Sequence, residues 1–490
     1  MAHGPSVLLL SLLALTGATH IAIINHHDDL PVPVSPFEQH IPLDGGSDRP
    51  PPPRVPTTST VFVGLSSFRD GSRCGYTIFT GLQRATYPSR VHFGVVDQLD
   101  DGDESSLDAY CKLARDAWPD HRDCRYKKQI TVDTRQASTS RGPSVARHYQ
   151  QALVGDQDFC LQLDAHSIFT RDWDSRLVQE WGRANNEMAV LTTYLHAYSP
   201  SYVDEMGTNI DPGQYPHLCT TVRGGNKCVR NEGASMLLGA EQPQLSALWG
   251  AGLSFSKCHA ETRVRIDPHT LWMFDGEEFL RASHLWTYGY DMYSPSISVI
   301  YHNYSSVPER HTVGLSVFGP VDEEDLNLYQ YGPVRSFEQY LAFAGIDLAT
   351  DTPDRGSCKQ LRWQPYQDAT LIEELLPGWT MRQGPMPSTS NEVALDSAAG
   401  NSAQHYNDDD ASPDGNGLLL PDDVMAVGVR QGKVRSGLLL RVQHSNTKGG
   451  VPYQVHVMIA MAAILVGLGA FVVKANRRAM RRQLKKFVLK

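Results

Sequence analysis

From Thr60 onward, short apolar runs alternate with amphipathic stretches of helical period. The order is VFVGLSS then GYTIFTGLQRAT, VHFGVVDQ (91–98) then SSLDAYCKLARDAW, QITVDT then PSVARHYQQALVG, DFCLQLDAH then WDSRLVQEWGRAN, and last MAVLTTYL. Short continuous apolar runs read as strands buried on both faces. Their alternation with helices predicts an α/β fold on a mostly parallel, doubly wound sheet, expected to span 60–383.

The pattern then loosens. Between Ser199 and Ala247 the periodicity weakens and Gly, Asn and Pro accumulate, which predicts a long surface excursion. In LWGAGLSFSKCHA (248–260), Gly250 and Gly252 interrupt a strand-like run and mark a close approach of the main chain to something else. The stretch 274–304 predicts a helix opening at Gly276-Glu277-Glu278, an aromatic-rich turn, and a strand ending at His302.

The flanks have a different composition. Residues 21–59 hold PVPVSP and RPPPPRVPTTST and read as a Pro-rich stem, and 384–452, rich in Ser, Asn, Asp and Gly, reads as a disordered linker. PSVLLLSLLALTGA, within 1–20, reads as a signal peptide or uncleaved anchor. The charge-free run VMIAMAAILVGLGAFVV, within 455–474, is long enough for a transmembrane helix, and the basic NRRAMRRQLKK that opens 475–490 makes the tail cytosolic under the positive-inside rule. These segments predict a protein held to the membrane by its C-terminal helix. Its bulk would face the ER or Golgi lumen of the secretory pathway, or the outside of the plasma membrane.

Composition refines this. The chain is 41% hydrophobic and 20% charged, as in globular proteins, and its net charge of -10, with a single basic cluster in the last residues, argues against nucleic acid as a partner. Eight Cys suit an oxidising compartment. Cys219 and Cys228, flanking a Gly-rich turn, are the first candidate pair and Cys111 and Cys124 the second; Cys160, inside the anchor strand, reads as a buried free thiol.

Candidate chemistry gathers at strand ends. Asp164 and His166 close the apolar strand of QDFCLQLDAHSIFTRDWD, Ser66, Arg69 and Asp70 follow the first strand, Asp97 follows the second, and Arg147 lies on the helix leading to the anchor strand. Open α/β sheets bind ligands outside the carboxyl ends of their strands. An Asp and a His one residue apart can grip one divalent ion, an Arg can bond a diphosphate bidentately, and a carboxylate such as Asp97 can accept bonds from a base or ribose. Each residue alone would read as a helix cap or surface charge rather than a ligand. No Walker P-loop and no Gly-x-Gly-x-x-Gly fingerprint follows the first strand, which disfavours NTPase and dinucleotide chemistry.

Four patches in order, GLSSFRD (64–70), SRGPSVAR with LQLDAHSIFTRDWD (140–174), WGAGLSFSK with FDGEEFLRASHLWTYGYDMYSP through YHNY (249–304), and YGPVRSFEQYLAFAGID (331–347), resemble the GlcNAc-transferase family typified by cytosolic hydroxyproline glycosylation. Local similarity extends to the mucin-type polypeptide GalNAc transferases. The resemblance implies a GT-A fold, a Rossmann-like nucleotide-diphospho-sugar transferase domain that uses a UDP-sugar donor and a divalent cation, Mn2+ or Mg2+. It implies Asp164, His166 and His302 as metal ligands, with Ala165 where the family has Ser. Gly250 and Gly252 would line the sugar pocket, and Glu277 and Glu278 would hold sugar hydroxyls or the acceptor. Arg147, joined by Ser66, Arg69, Asp70 and Asp97, would face the nucleotide. Transfer of a sugar, GlcNAc favoured, to a hydroxyl of a protein or glycan acceptor would proceed with retention, and the 199–247 excursion would lie on the acceptor side. The family's Arg shortly after the last His is replaced here by Ser305-Ser306. Two other readings are a catalytically silent relative that binds nucleotide-sugar or glycan, and a membrane-tethered structural protein on the same fold.

Overall fold

The computed structural model describes residues 21–24, 31–121, 123–225, 227–305, 317–318 and 328–381. The terminal apolar segments, the linker 384–452 and the basic tail lie outside the described residues. Among the described residues no helix is long and apolar enough to cross a membrane.

The chain opens with β1 (Ile21–Ile24) and β2 (Pro31–Val34), then enters the expected alternation. It runs β3 (Val61–Phe68), α1 (Gly71–Gln83), β4 (Val91–Leu99), α2 (Ser106–Ala117), β5 (Ile130–Gln136), α3 (Pro143–Gln151), β6 (Phe159–Asp164), β7 (Ser167–Phe169), α4 (Trp173–Arg183) and β8 (Ala189–Thr193). Long strands β9 (Gln214–Arg223) and β10 (Val229–Leu238) follow, then β11 (Gln244–Ser246), β12 (Leu253–Lys257), the short α5 (His259–Arg263) and β13 (Thr270–Leu271). The last elements are α6 (Glu277–Thr287), β14 (Asp291–Ser294), β15 (Ile300–His302), β16 (Val317–Phe318), α7 (Phe337–Ala344) and α8 (Thr370–Leu375).

The main sheet has eight strands in the order β11-β14-β8-β12-β6-β3-β4-β5. Pairs β3–β4, β3–β6, β4–β5 and β8–β14 are parallel, while β12 runs antiparallel to both β6 and β8, and β11 antiparallel to β14. The sheet is therefore mixed. Alternation along a strand sends successive side chains to opposite faces. Accordingly Ser66 bonds Gln150 of α3 on one face, while Asp97, which shares a row with Ser67, takes the Ser106 amide of α2 on the other. Helices thus cover both faces, and Val63, Leu65, Val95, Leu161, Phe159 and Phe255 fill the core between them.

Two expectations from the sequence are corrected. The stretch 199–247 is not a loose surface excursion: β9 and β10 form a long hairpin, bulged near Gly233, that joins β1 and β2 in a four-stranded antiparallel sheet of order β2-β1-β10-β9. Nor do residues 21–59 form only a spacer. Pro31 and Pro33 are accommodated because β2 is an edge strand, where a missing N–H costs no ladder bond. Gln39 is buried and bonds Pro243 and Leu245, Trp363 donates its amide to the Gln39 carbonyl, and Pro50 and Pro51 are buried.

Disulfide pairing departs from the sequence reading at two of three bridges. Cys111–Cys124 forms as expected, but Cys219 pairs with Cys358 rather than Cys228, and Cys160 is bonded to Cys258 rather than free. Cys160 lies beside Ser256 on the neighbouring strand, which brings Cys258 within reach across 98 residues of chain.

Candidate active site

Asp164 ends β6 beside Ser66 of β3, and the chain turns through buried Ala165 and His166 into β7. Strand β7 pairs antiparallel with β15, His302 opposite Ser167, and the Asn303 amide donates to the His166 carbonyl. The His302 backbone is used on both sides, its amide by the His196 carbonyl and its carbonyl by the Tyr198 amide. Only the imidazole remains for chemistry. The imidazoles of His166 and His302 approach edge to face with centroids 4.6 Å apart, and His302 Nε2 lies 3.1 Å from Asp164 Oδ2.

One potential ligand atom from each of Asp164, His166 and His302 falls within 4.8 Å of the others. Adjacent ligands of an octahedral ion bound at about 2.1 Å stand about 3 Å apart, so the Asp164–His302 separation already suits a shared cation. Nε2 is thus the His302 nitrogen directed at a shared ion, and the buried Nδ1 has no hydrogen bond among the described residues. Two imidazoles with one carboxylate suit Mn2+ better than Mg2+, which prefers oxygen. The residues fit a divalent transition-metal ion.

Arg147 joins this cluster to α6. Its guanidinium donates to Glu277 Oε2 at 2.7 Å and stands 3.7 Å from Asp164 Oδ1. Burial works against its charge, but Glu277 and Asp164 outweigh that and hold its pKa above the ordinary guanidinium value. Burial likewise opposes ionisation of Asp164, yet the hydrogen bond from His302 and the charge of Arg147 hold its carboxyl below the usual value. Glu277, 8% exposed, is pushed up to about 7, by burial first, against the pull of Arg147.

Glu278 turns elsewhere. It accepts from the Ala251 amide at 2.9 Å, the Tyr194 hydroxyl at 2.6 Å and Asn231 Nδ2 at 3.0 Å, and so ties α6 to the Gly250–Gly252 segment, the residue just after β8, and β10. Burial raises its pKa in spite of these bonds. Gly250 is explained by packing, since a Cβ there would stand 2.8 Å from the Thr193 carbonyl carbon and 2.9 Å from Leu218 Cδ1. Gly252 is buried nearby with more room, the nearest atom being 3.7 Å away.

The remaining candidates divide. Ser66 stands beside Asp164 with its hydroxyl on Gln150, and Asp70 Oδ2 is 3.6 Å from His166 Nδ1, so both border the cluster. Arg69, in a left-handed conformation, is turned to Asp100 and Asp103. Asp97 is fully buried on the opposite sheet face, where it accepts the Ser106 amide. Its one-residue offset from the Ser66 row sends it away from the crevice. Sequence reasoning missed Arg73, Tyr194 and Asn231, whose parts depend on contacts far along the chain.

Residues 108–313 match the family model described as Glycosyltransferase (GlcNAc), the family that the sequence motifs resemble. The matched segment includes Arg147, Asp164, His166, Gly250, Gly252, Glu277, Glu278 and His302. No curated protein matches the chain. Among solved structures the chain is similar to the crystal structure of GalNAc-T7 with UDP, GalNAc and Mn2+, at 16% identity and a TM-score of 0.37. That similarity covers 51% of this chain and 44% of the other.

Proposed function

We propose that the protein is a metal-dependent glycosyltransferase that moves a sugar, GlcNAc favoured, from a UDP-sugar to a hydroxyl of a protein or glycan acceptor with retention. The observation that carries this is the convergence of the neighbouring Asp164 and His166 with His302, which lies 138 residues beyond Asp164, beside Arg147 at the carboxyl end of a parallel strand. The GlcNAc family match over 108–313 supports the donor class, and three disulfides support an oxidising compartment such as the secretory lumen.

A divalent cation bound by Asp164, His166 and His302 would neutralise the charge that develops on the departing diphosphate. Arg147 is placed to donate charge-assisted bonds to the same phosphates. Glu277 holds Arg147 at that position, and Glu278 holds the Gly250–Gly252 segment through Ala251. With same-face attack, the leaving phosphate accepts the proton of the acceptor hydroxyl, so neither Glu need act as base.

The test is a panel of UDP-sugars with Mn2+, in which released UDP and transferred sugar are both measured. We expect chelator-sensitive turnover on one UDP-sugar, reduced about a hundredfold or more by Asp164→Asn or His302→Ala. Full turnover in either variant would overturn the site assignment.

A further inference from the structure

Helix α6 serves a second space. Past Glu277, the residues Phe279, Leu280 and His284, with Tyr331, Leu348 and Asp267, line an open pocket of about 630 Å³. This volume lies within the usual range for small-molecule sites. A narrower cleft lined by Arg147 and Glu277 shares Asp267, Leu280 and His284 with it, so the two spaces abut along α6.

His284 is the unexplained residue. It is 7% exposed, lines both spaces, and neither ring nitrogen takes a hydrogen bond among the described residues; Tyr331 meets it edge to face at 4.8 Å. Burial, aided by nearby Arg281, lowers its pKa to about 4, so the ring is neutral at physiological pH and offers one donor and one acceptor. That pair of roles matches a hydroxyl, which both donates and accepts. Phe279 and Tyr331 add aromatic surface, each backed by Phe337. At the rim Lys227 is paired to Asp351, and the Asp267 carboxylate accepts from the His269 amide and meets its imidazole, so the charges are already taken up, which favours a neutral ligand over a phosphate. A purely apolar ligand would leave the buried His284 ring without a partner at a desolvation cost. A sugar ring, with an apolar C–H face and a hydroxyl edge, satisfies both walls.

We propose that this cavity is a carbohydrate subsite that seats one neutral sugar unit of a glycan acceptor. Its role as an acceptor site rests on the glycosyltransferase reading; its binding of sugar does not. The experiment is saturation-transfer NMR on the full chain without UDP or metal, using methyl glycosides of glucose, galactose, mannose, GlcNAc and GalNAc and their disaccharides. At least one is expected to bind saturably. Leu348→Trp, which fills the cavity from a half-exposed position, and Tyr331→Ala, which removes a wall, should each weaken that binding tenfold or more. UDP and Mn2+ binding, measured separately by calorimetry, should be unchanged in both variants. No saturable binding across the panel, or binding that neither variant moves, overturns the subsite. Sugar binding without UDP and Mn2+ binding would instead sink the transferase reading and leave the subsite standing.

Discussion

Arg73 lies in the first turn of α1, and its Nε donates to both oxygens of Asp70, at 2.9 and 2.7 Å, while Nη1 donates to the Ser305 carbonyl at 2.8 Å. Because Asp70 stands behind His166, one guanidinium links the back of one candidate metal ligand to the chain just beyond another, His302. Burial opposes the charge of Asp70, but His166 and Arg73 outweigh it and hold the carboxyl below its ordinary value. Outer partners of metal-binding His orient the ring and commonly change metal affinity tenfold to a hundredfold. We therefore expect Arg73→Ala to fold but to bind Mn2+ about tenfold to a hundredfold more weakly, with partial recovery in Arg73→Lys. Mn2+ titration followed by electron paramagnetic resonance reads this directly, and an unchanged affinity would show that the brace has no role. The departure at Ser305-Ser306 thus has a counterpart in space, a guanidinium brought to Ser305 from α1. Asp164 and His166 were legible because their chemistry lies in their residue types, and His302 because the motifs around it resemble a family's. Arg73 was not, since Asp-x-x-Arg at a helix start is an ordinary pair until folding brings in a residue 232 positions away.

Among the elements, β12 shows how far strand-and-helix alternation can be read. From β4 to β8 each strand follows a helix, apart from the short β7, and β3, β4, β5 and β6 pair in parallel. After the β9–β10 hairpin the chain enters β12 without a crossover helix and lies antiparallel between β6 and β8. Gly250 sits at this entry, pressed on the Thr193 backbone. Its glycine was legible as a close approach, but not the identity of what it approaches. Gly250→Ala is expected to destabilise the fold by about 1–3 kcal/mol through overpacking, whereas Gly252→Ala, whose Cβ would make only ordinary van der Waals contact, should be nearly neutral. Urea unfolding midpoints separate the two, and equal midpoints would contradict the packing account. The hairpin itself was misread because its strands mix buried His217, Thr220, Thr221 and Asn231 with apolar residues, so that hydrophobic period gives little signal.

For the molecule as a whole, buried neutral imidazoles set an acid limit. His217 is 1% exposed with Nδ1 on the Ser294 hydroxyl, and burial lowers its pKa to about 4, as it does for His284. A folded-state pKa below the unfolded value means that the unfolded chain takes protons first as pH falls. This stability is complete above about 6.5 and is lost between there and about 4, on the order of 2 kcal/mol for each residue at pH 5. Thermal unfolding between pH 7.5 and 5 should therefore show a falling midpoint, with a shallower slope in His217→Asn; a flat profile would remove the basis for it. The sequence alone determined the βα order and the Asp164–His166 pair at a strand's end, because periodicity and residue type are local properties, while His302 was expected as a third ligand only through the resemblance of the surrounding motifs. Only the tertiary structure decided the Cys160–Cys258 and Cys219–Cys358 pairings, the direction of β12, the face to which Asp97 turns and the reach of Arg73. Each of these depends on which segments become neighbours, and that follows from packing segments distant in sequence against one another rather than from spacing along the chain.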